Sequence, residues 1–318
     1  MKAVTDETRI LSSQSPRRRA ATIALFGEVL ADEFPDRHVL GGAPFNVARH
    51  LRAFGLNPVL ITRTGNDALR EELLDTMRAS DMETMGVQCD STHPTGRVQV
   101  HLDGDNHRFE ILPDQAYDHI HATLARMVAL SVRPELVYFG TLAQRRAASR
   151  SALRMLLNGT RAATFFDVNL RPPWYEAQVL RRSLRRADTV KLNQDEMETL
   201  AHLFALPGDT WQGHAHSFMQ SFDIRRVLVT CGAQGACLLE REGGETRLQP
   251  SPLTQAVVDT VGAGDAFSAV FILGQLARWP LATTLERAHA FAAAICTVRG
   301  AVPDQPDFYE PFLAGWRA

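Results

Sequence analysis

Six short, almost purely apolar runs constrain this chain more than any other feature. They lie at residues 21–26, 58–62, 135–139, 163–168, 189–192 and 226–230, and each is rich in Val, Ile, Leu, Phe or Thr. Segments with helical periodicity separate most of them, for example residues 46–54 and 68–80. A strand with one wet face alternates apolar and polar residues, whereas a strand buried on both faces does not. Continuous apolar strands interleaved with helices therefore predict a mainly parallel sheet with helices on both sides. No Pro/Gly-rich linker, internal repeat or low-complexity tract divides the 318 residues, so one large domain is expected over residues 21–318.

Residues 94–112 break that pattern. Arg97-Val98-Gln99-Val100-His101-Leu102 alternates by two, Asp103-Gly104-Asp105-Asn106 is a turn, and residues 107–112 alternate again. This predicts a hairpin with one face in water, distinct from the main sheet.

The balance of charge excludes several functions. Hydrophobic residues make up 45% and charged residues 22%, with a net charge of -2, so neither nucleic acid nor an anionic membrane is an expected partner. No apolar run is long enough to span a bilayer. Cys89, Cys231, Cys237 and Cys296 match no zinc spacing and nothing marks the chain as secreted, which predicts reduced thiols and a cytoplasmic location. Cys231 and Cys237 fall in what reads as a hairpin. Residues 1–20 are polar and end near Arg17-Arg18-Arg19; Asp6 and Glu7 argue against a transit peptide, so a flexible solvated tail is expected.

Two glycine turns carry the chemistry. In Val258-Asp259-Thr260-Val261-Gly262-Ala263-Gly264-Asp265-Ala266-Phe267, the glycines precede an apolar helical run. Glycines let successive N–H groups face one point, and a helix N-terminus adds positive potential there. An anion cradle with a carboxylate at its lip suits phosphoryl transfer to a hydroxyl, which needs stabilising dipoles and a base. Read locally, Gly-Ala-Gly-Asp is also how a helix is capped. The second turn, Gly41-Gly42-Ala43-Pro44-Phe45-Asn46, likewise enters an apolar helix, and Asn46 either caps that helix or offers a donor and an acceptor to a ligand.

Together and in this order, the two turns resemble the signature regions of the ribokinase-like carbohydrate kinases, the PfkB family, over about residues 23–302. The resemblance implies a three-layer α/β/α sandwich with a small β-sheet lid, formed by segments at about 31–40 and 94–112. It implies ATP and magnesium as cofactors, a small sugar as acceptor, Asp265 as general base, and Gly262, Ala263 and Gly264 as the anion hole. It places Asp32, Gly41, Gly42 and Asn46 on the sugar. Asn193-Gln194-Asp195-Glu196 is similar to the family's Asn-x-x-Glu motif, in which Asn193 and Glu196 organise magnesium and phosphate through water; the same spacing is also a capping box. Thr230-Cys231-Gly232-Ala233-Gln234-Gly235 resembles the nucleotide loop, with Thr230, Gly232 and Gly235 beside ATP together with Asn193 and Gly264. Many members bind potassium next to the cradle; Asp259 and Val261, with the loop at 296–304, fit that site. A homodimer through the lid also follows from the resemblance.

Branch within the family turns on Asp167-Val168-Asn169-Leu170-Arg171-Pro172-Pro173, which resembles fructokinases and 2-keto-3-deoxygluconate kinases. Arg171 can clamp a carboxylate or phosphate, or pair with Asp167 to fix its loop. The keto-deoxygluconate branch carries Tyr and Arg in a lid strand, whereas Phe109-Glu110-Ile111-Leu112 has no arginine there. Fructose is therefore the expected acceptor. Arg97 leaves room for an acidic or phosphorylated one. A nucleoside, ribose or modified-sugar kinase and an inactive regulator on the same fold are the alternatives. A dinucleotide oxidoreductase is disfavoured, because Gly27-Glu28-Val29-Leu30 follows the first strand in place of Gly-x-Gly-x-x-Gly.

Overall fold

In the computed structural model, which describes residues 20–103, 106–250, 256–303 and 305–316, the apolar runs join one nine-stranded sheet. In chain order the elements are β1 (Thr22–Phe26), β2 (Leu30–Glu33), β3 (His38–Gly41), α1 (Ala43–Ala53), β4 (Asn57–Gly65), α2 (Ala68–Ala79), β5 (Val87–Asp90), β6 (Gly96–Asp103) and β7 (Asn106–Ile111). There follow α3 (Ala122–Val132), β8 (Leu136–Phe139), α4 (Ala147–Asn158), β9 (Ala163–Asp167), α5 (Ala177–Leu184), β10 (Thr189–Asn193), α6 (Gln194–Phe204), α7 (Trp211–Phe222) and β11 (Arg226–Thr230). The last are β12 (Ala236–Glu240), β13 (Glu245–Leu248), α8 (Ala263–Ala277), α9 (Leu281–Ile295) and α10 (Glu310–Trp316). The expected tail at 1–20 lies, but for Ala20, outside the described residues, as do Gly104 and Asp105 of the expected turn.

The sheet order is β13-β12-β11-β10-β9-β8-β1-β4-β5, parallel from β11 to β5. At one edge β12 is reversed, pairing antiparallel with β11 and with β13. Burial explains the apolar runs: β1 and β8 are buried along their whole length. Side chains of α3 to α7 pack on one face of the sheet, and those of α1, α2, α8 and α9 on the other. The parallel sheet with helices on both faces thus stands as expected. No helix among the described residues is long and apolar enough to cross a membrane.

A separate four-stranded sheet, ordered β3-β2-β6-β7, takes in the segments expected to form the lid. The alternation read in the hairpin is its cause: Val98 and Val100 turn inward, while Gln99 faces water. β2 and β3 follow β1 directly, so the lid leaves the main sheet where the parallel strands end.

Two boundaries differ instructively from expectation. α1 begins at Ala43, not at Asn46, because Pro44 occupies the first turn, where its missing N–H costs nothing. β5, β12 and β13 went unread as strands of the main sheet, since edge strands such as β13 keep polar side chains.

Candidate active site

Asn46 and Asp265, 219 residues apart, meet through a hydrogen bond in which Nδ2 donates to Oδ2 at 2.9 Å. Local geometry prepares each partner. α1 is capped by Gly42 at φ 107 with no side-chain cap bond, so Asn46 sits inside the first turns and does not cap the helix. Gly42 is required there: a Cβ would stand 2.7 Å from the Glu28 carbonyl oxygen. Asn46 Oδ1 is buried without a partner among the described residues.

On the other side, α8 is capped by Gly262 in the left-handed region, φ 79, where a Cβ would come within 2.4 Å of Ala301 Cα. The Ala263 amide donates to Thr260 O at 3.3 Å. The amides of Gly264 and Asp265 find no protein acceptor among the described residues, so Gly264 of the expected anion hole and the neighbouring Asp265 keep free amides at this helix N-terminus. Burial pushes the Asp265 carboxyl up to about 6; the Asn46 bond opposes the shift, Asp167 adds to it, and Lys191 and Arg171 oppose it.

A buried ion pair lies behind this turn. Lys191 Nζ donates to both oxygens of Asp167 at 3.1 Å and to Gly264 O at 3.3 Å. Ser268 Oγ and Tyr138 OH complete the shell of Asp167 at 2.8 and 3.2 Å. Burial works against the Lys191 charge, but Asp167, Glu196 and Asp265 more than offset it and hold the ammonium above its ordinary range. A Cβ at Gly264 would approach Nζ to 3.1 Å, so this glycine also makes room for the lysine. Asp167 therefore pairs with Lys191, and the alternative pairing of Asp167 with Arg171 is not formed. The available signal was a lysine inside an apolar strand.

Arg171 instead donates to Leu170 O at 3.1 Å, and its charge bears on Glu28, Asp32 and Asp265. Burial pushes Asp32 up to about 6, with Arg171 opposing. A Cβ on Gly41 would lie 3.4 Å from Asp32 Oδ2. Glu28 was missed in the sequence, although it too is a charge between apolar neighbours; it is 4% exposed and burial pushes it up to about 7. Arg97 is not brought into this group: its Nη1 pairs with Glu33 Oε1 at 2.7 Å across β2 and β6, and its field falls on Asp67.

The expected nucleotide and metal residues lie along the same strand ends. Asn193 and Glu196 form a capping box, Asn193 Oδ1 accepting from Glu196 N at 2.8 Å and Glu196 Oε2 from Asn193 N at 2.9 Å. Glu196 Oε1 accepts from Leu170 N at 2.7 Å, which ties α6 to the Arg171 loop. With both oxygens already accepting N–H groups, these residues fit magnesium held through water and not by direct ligation. Thr230 Oγ1 donates to Leu192 O at 3.4 Å. Gly232, at φ 55, opens to free space, while a Cβ on Gly235 would strike Leu248 O at 2.1 Å, so Gly235 serves the packing of β13. Asp259 accepts from Val261 N and from Gly300 N, both at 3.0 Å, and the Val258 and Asp259 amides reach Cys296 O. These bonds tie the 258–261 segment to the loop that follows α9; Asp304 of the expected loop lies outside the described residues. Cys231 and Cys237 are free thiols.

Comparison with known proteins places this geometry. The pfkB family carbohydrate kinase model matches residues 18–307. An uncharacterized sugar kinase of Pyrococcus horikoshii is 28% identical over 247 residues, 74% of this chain and 73% of that protein. Its crystal structure superposes with a TM-score of 0.76 at 26% identity, covering 92% of this chain and 97% of that one. A fructokinase of Salmonella typhimurium is 27% identical over 308 residues, 90% and 96% of the two chains. A double-mutant fructokinase of Vibrio cholerae, with fructose, ADP and potassium ion bound, has a TM-score of 0.76 at 21% identity, covering 92% of this chain and 98% of that one. The latter likeness bears on the fold alone.

Proposed function

The chain belongs to the pfkB family of carbohydrate kinases and is thereby a phosphotransferase with an alcohol acceptor, and we propose that it transfers the γ-phosphoryl group of ATP to a hydroxyl of a small neutral sugar, fructose first. The bond between Asn46 and Asp265 carries this reading. It joins the turn assigned to the sugar to the turn assigned to the phosphate at a single carboxylate.

In this mechanism Asp265 takes the proton of the acceptor hydroxyl as that oxygen attacks the γ-phosphorus in line. The free amides of Gly264 and Asp265 hold the charge on the transferring group, with the α8 N-terminus behind them. Asp32, Gly41, Gly42 and Asn46 hold the sugar under the lid, and the lid excludes water as a competing acceptor. The Thr230 loop, Gly232 and Asn193 border the nucleotide. Magnesium, when bound, neutralises phosphate charge, and Asn193 and Glu196 would orient its water shell. Potassium would lie against Asp259, Val261 and the 296–303 segment.

Charge favours a neutral acceptor. Three carboxyl groups, Glu28, Asp32 and Asp265, surround one guanidinium, Arg171, while Arg97 is held by Glu33. A sugar acid would bring a further negative charge into a site already dense in carboxyl groups. The Salmonella fructokinase supports fructose within the neutral class. A homodimer through the lid is supported by Val39 and Phe109, 42% and 51% exposed on its outer strands; sedimentation at monomer mass would end that proposal.

The test is a coupled ADP-release assay with MgATP against fructose, ribose, 2-keto-3-deoxygluconate, adenosine and a sulfonated sugar, in potassium and in sodium. Turnover on fructose is expected, higher in potassium, with Asp265→Asn lowering kcat by roughly 10²–10⁴-fold. Turnover confined to the acidic sugar would overturn the neutral acceptor. Unchanged turnover in the variant would overturn the base.

A further inference from the structure

Glu28 is a buried carboxyl group that no part of the proposed mechanism uses. It follows Gly27 at the end of β1, and its backbone supports the sugar turn, since the Glu28 carbonyl is what excludes a side chain at Gly42. Its side chain is buried, and Oε2 has no hydrogen-bond partner among the described residues. Burial pushes the carboxyl up to about 7; the backbone amides of Glu28 and Ala143 and the Arg171 charge oppose the shift, and Asp265 adds to it.

Such an oxygen is costly. A buried acceptor left without a donor loses its hydration and gains nothing, and native structures keep few of them. Two further orphans lie in the same neighbourhood. Asn46 Oδ1 is unpaired on the residue that binds Asp265, and the buried hydroxyl of Tyr117, on which Glu28 acts electrostatically, is also unpaired. Unsatisfied groups on Glu28 and on Asn46, the partner of Asp265, fit a ligand that carries several hydroxyls, each able to donate and accept.

We propose that Glu28 is a direct sugar ligand and a determinant of acceptor specificity, taking with Oε2 a hydroxyl other than the one phosphorylated, so that the reacting hydroxyl is turned toward Asp265. This rests on the sugar-kinase reading above. The position suits the role on three counts. Glu28 lies in the short connection between β1 and β2, where the main sheet meets the smaller one that would cover the sugar. Oε2 has no partner within the described protein, so it is left for the ligand. An acceptor lacking the hydroxyl would leave Oε2 without a partner. A site of that kind discriminates strongly against deoxy analogues. Burial, which pushes the carboxyl up to about 7, lets it be a protonated donor or an ionised acceptor near neutral pH, either of which a hydroxyl can match.

The experiment is a protein-by-ligand cycle. Wild type, Glu28→Gln and Glu28→Ala are assayed for ADP release with MgATP on the best acceptor and on its series of monodeoxy analogues, with KM for MgATP measured beside each. Thermal melting without substrate checks folding, and the Gln variant keeps the shape where Ala leaves a gap. The expected result is a loss in kcat/KM for the parent sugar of roughly 10–10²-fold in Glu28→Ala, an unchanged KM for MgATP, and no additional loss for one deoxy analogue only. A merely structural role would lower activity equally across the whole deoxy series, and that outcome overturns the assignment, as does an unchanged kcat/KM in both variants. Wild type without turnover on any sugar would overturn the kinase reading itself, and the Glu28 assignment with it.

Discussion

Replacing Asn46 by Ala should move the acid limb of the pH–rate profile, by an amount the structure allows one to work out. Asp265 sits at about 6 because burial raises it and the 2.9 Å bond from Asn46 Nδ2 holds it back. A hydrogen bond to a charged group contributes about 1.5–3 kcal/mol, which at 1.36 kcal/mol per unit is roughly 1–2 pKa units. Without that bond the carboxyl should titrate near about 7–8. A general base works ionised, so activity rises with pH through this value. At pH 7 the ionised fraction would drop from about nine-tenths to between about one-half and one-tenth. The assay is kcat/KM for the sugar from pH 5 to pH 9.5, which reports the free enzyme. Because Glu28 titrates in the same window, the comparison is repeated in a Glu28→Gln background. Two effects then separate: a lower plateau at high pH measures the lost sugar contact of Asn46, and the displaced limb measures its hold on Asp265. A limb that stays at its wild-type position would refute the reasoning, because either Asn46 does not tune Asp265 or Asp265 is not the base.

Two further outcomes concern stability. Asp265 has a folded pKa of about 6 against an unbound value of 3.8, so the folded state binds its proton more tightly; its contribution is complete below about pH 4 and is lost as pH rises through about 6. Asp265→Asn should therefore raise Tm at pH 8 by a few degrees, at most about 3 kcal/mol and less for the solvent the residue still meets, and the difference should vanish near pH 4. A lower Tm at pH 8 would show that Asp265 supports the fold and does not strain it. Lys191→Met leaves Asp167 charged and buried, which should cost about 3–5 kcal/mol in denaturant unfolding, with much of it recovered in the Lys191→Met/Asp167→Asn double variant. A double variant no more stable than the single one would mean that the ion pair is not the source of the loss.

How far the fold was legible depends on where each residue spends its side chain. β1 and β8 were readable as strands because both faces are buried and every position is apolar. The lid hairpin was readable for the opposite reason, since one wet face leaves a period of two. β5 and β13 were not, because Gln88, Asp90, Glu245 and Arg247 give an edge strand no apolar run to recognise. The start of α1 was set late because Pro44 reads as a loop residue until the first turn of a helix is allowed for.

The site divides in the same physical way. Glycines that a close backbone approach demands, Gly42 against Glu28 and Gly262 against Ala301, leave a mark in sequence because no other residue fits. Pairings do not: nothing in the spacing of Asn46 and Asp265, or of Asp167 and Lys191, tells which distant partner each will meet, since the fold alone closes those loops. A trace of the partner nevertheless exists. Lys191 lies inside a buried strand and Glu28 between buried apolar neighbours, positions where a charge is unfavourable unless something compensates it. For Lys191 the compensation is internal, an aspartate and a carbonyl oxygen. For Glu28 it is incomplete within the protein, one oxygen being left over. A charge in an apolar run therefore marks either a structural pair or a ligand contact, and the hydrogen-bond count decides between them.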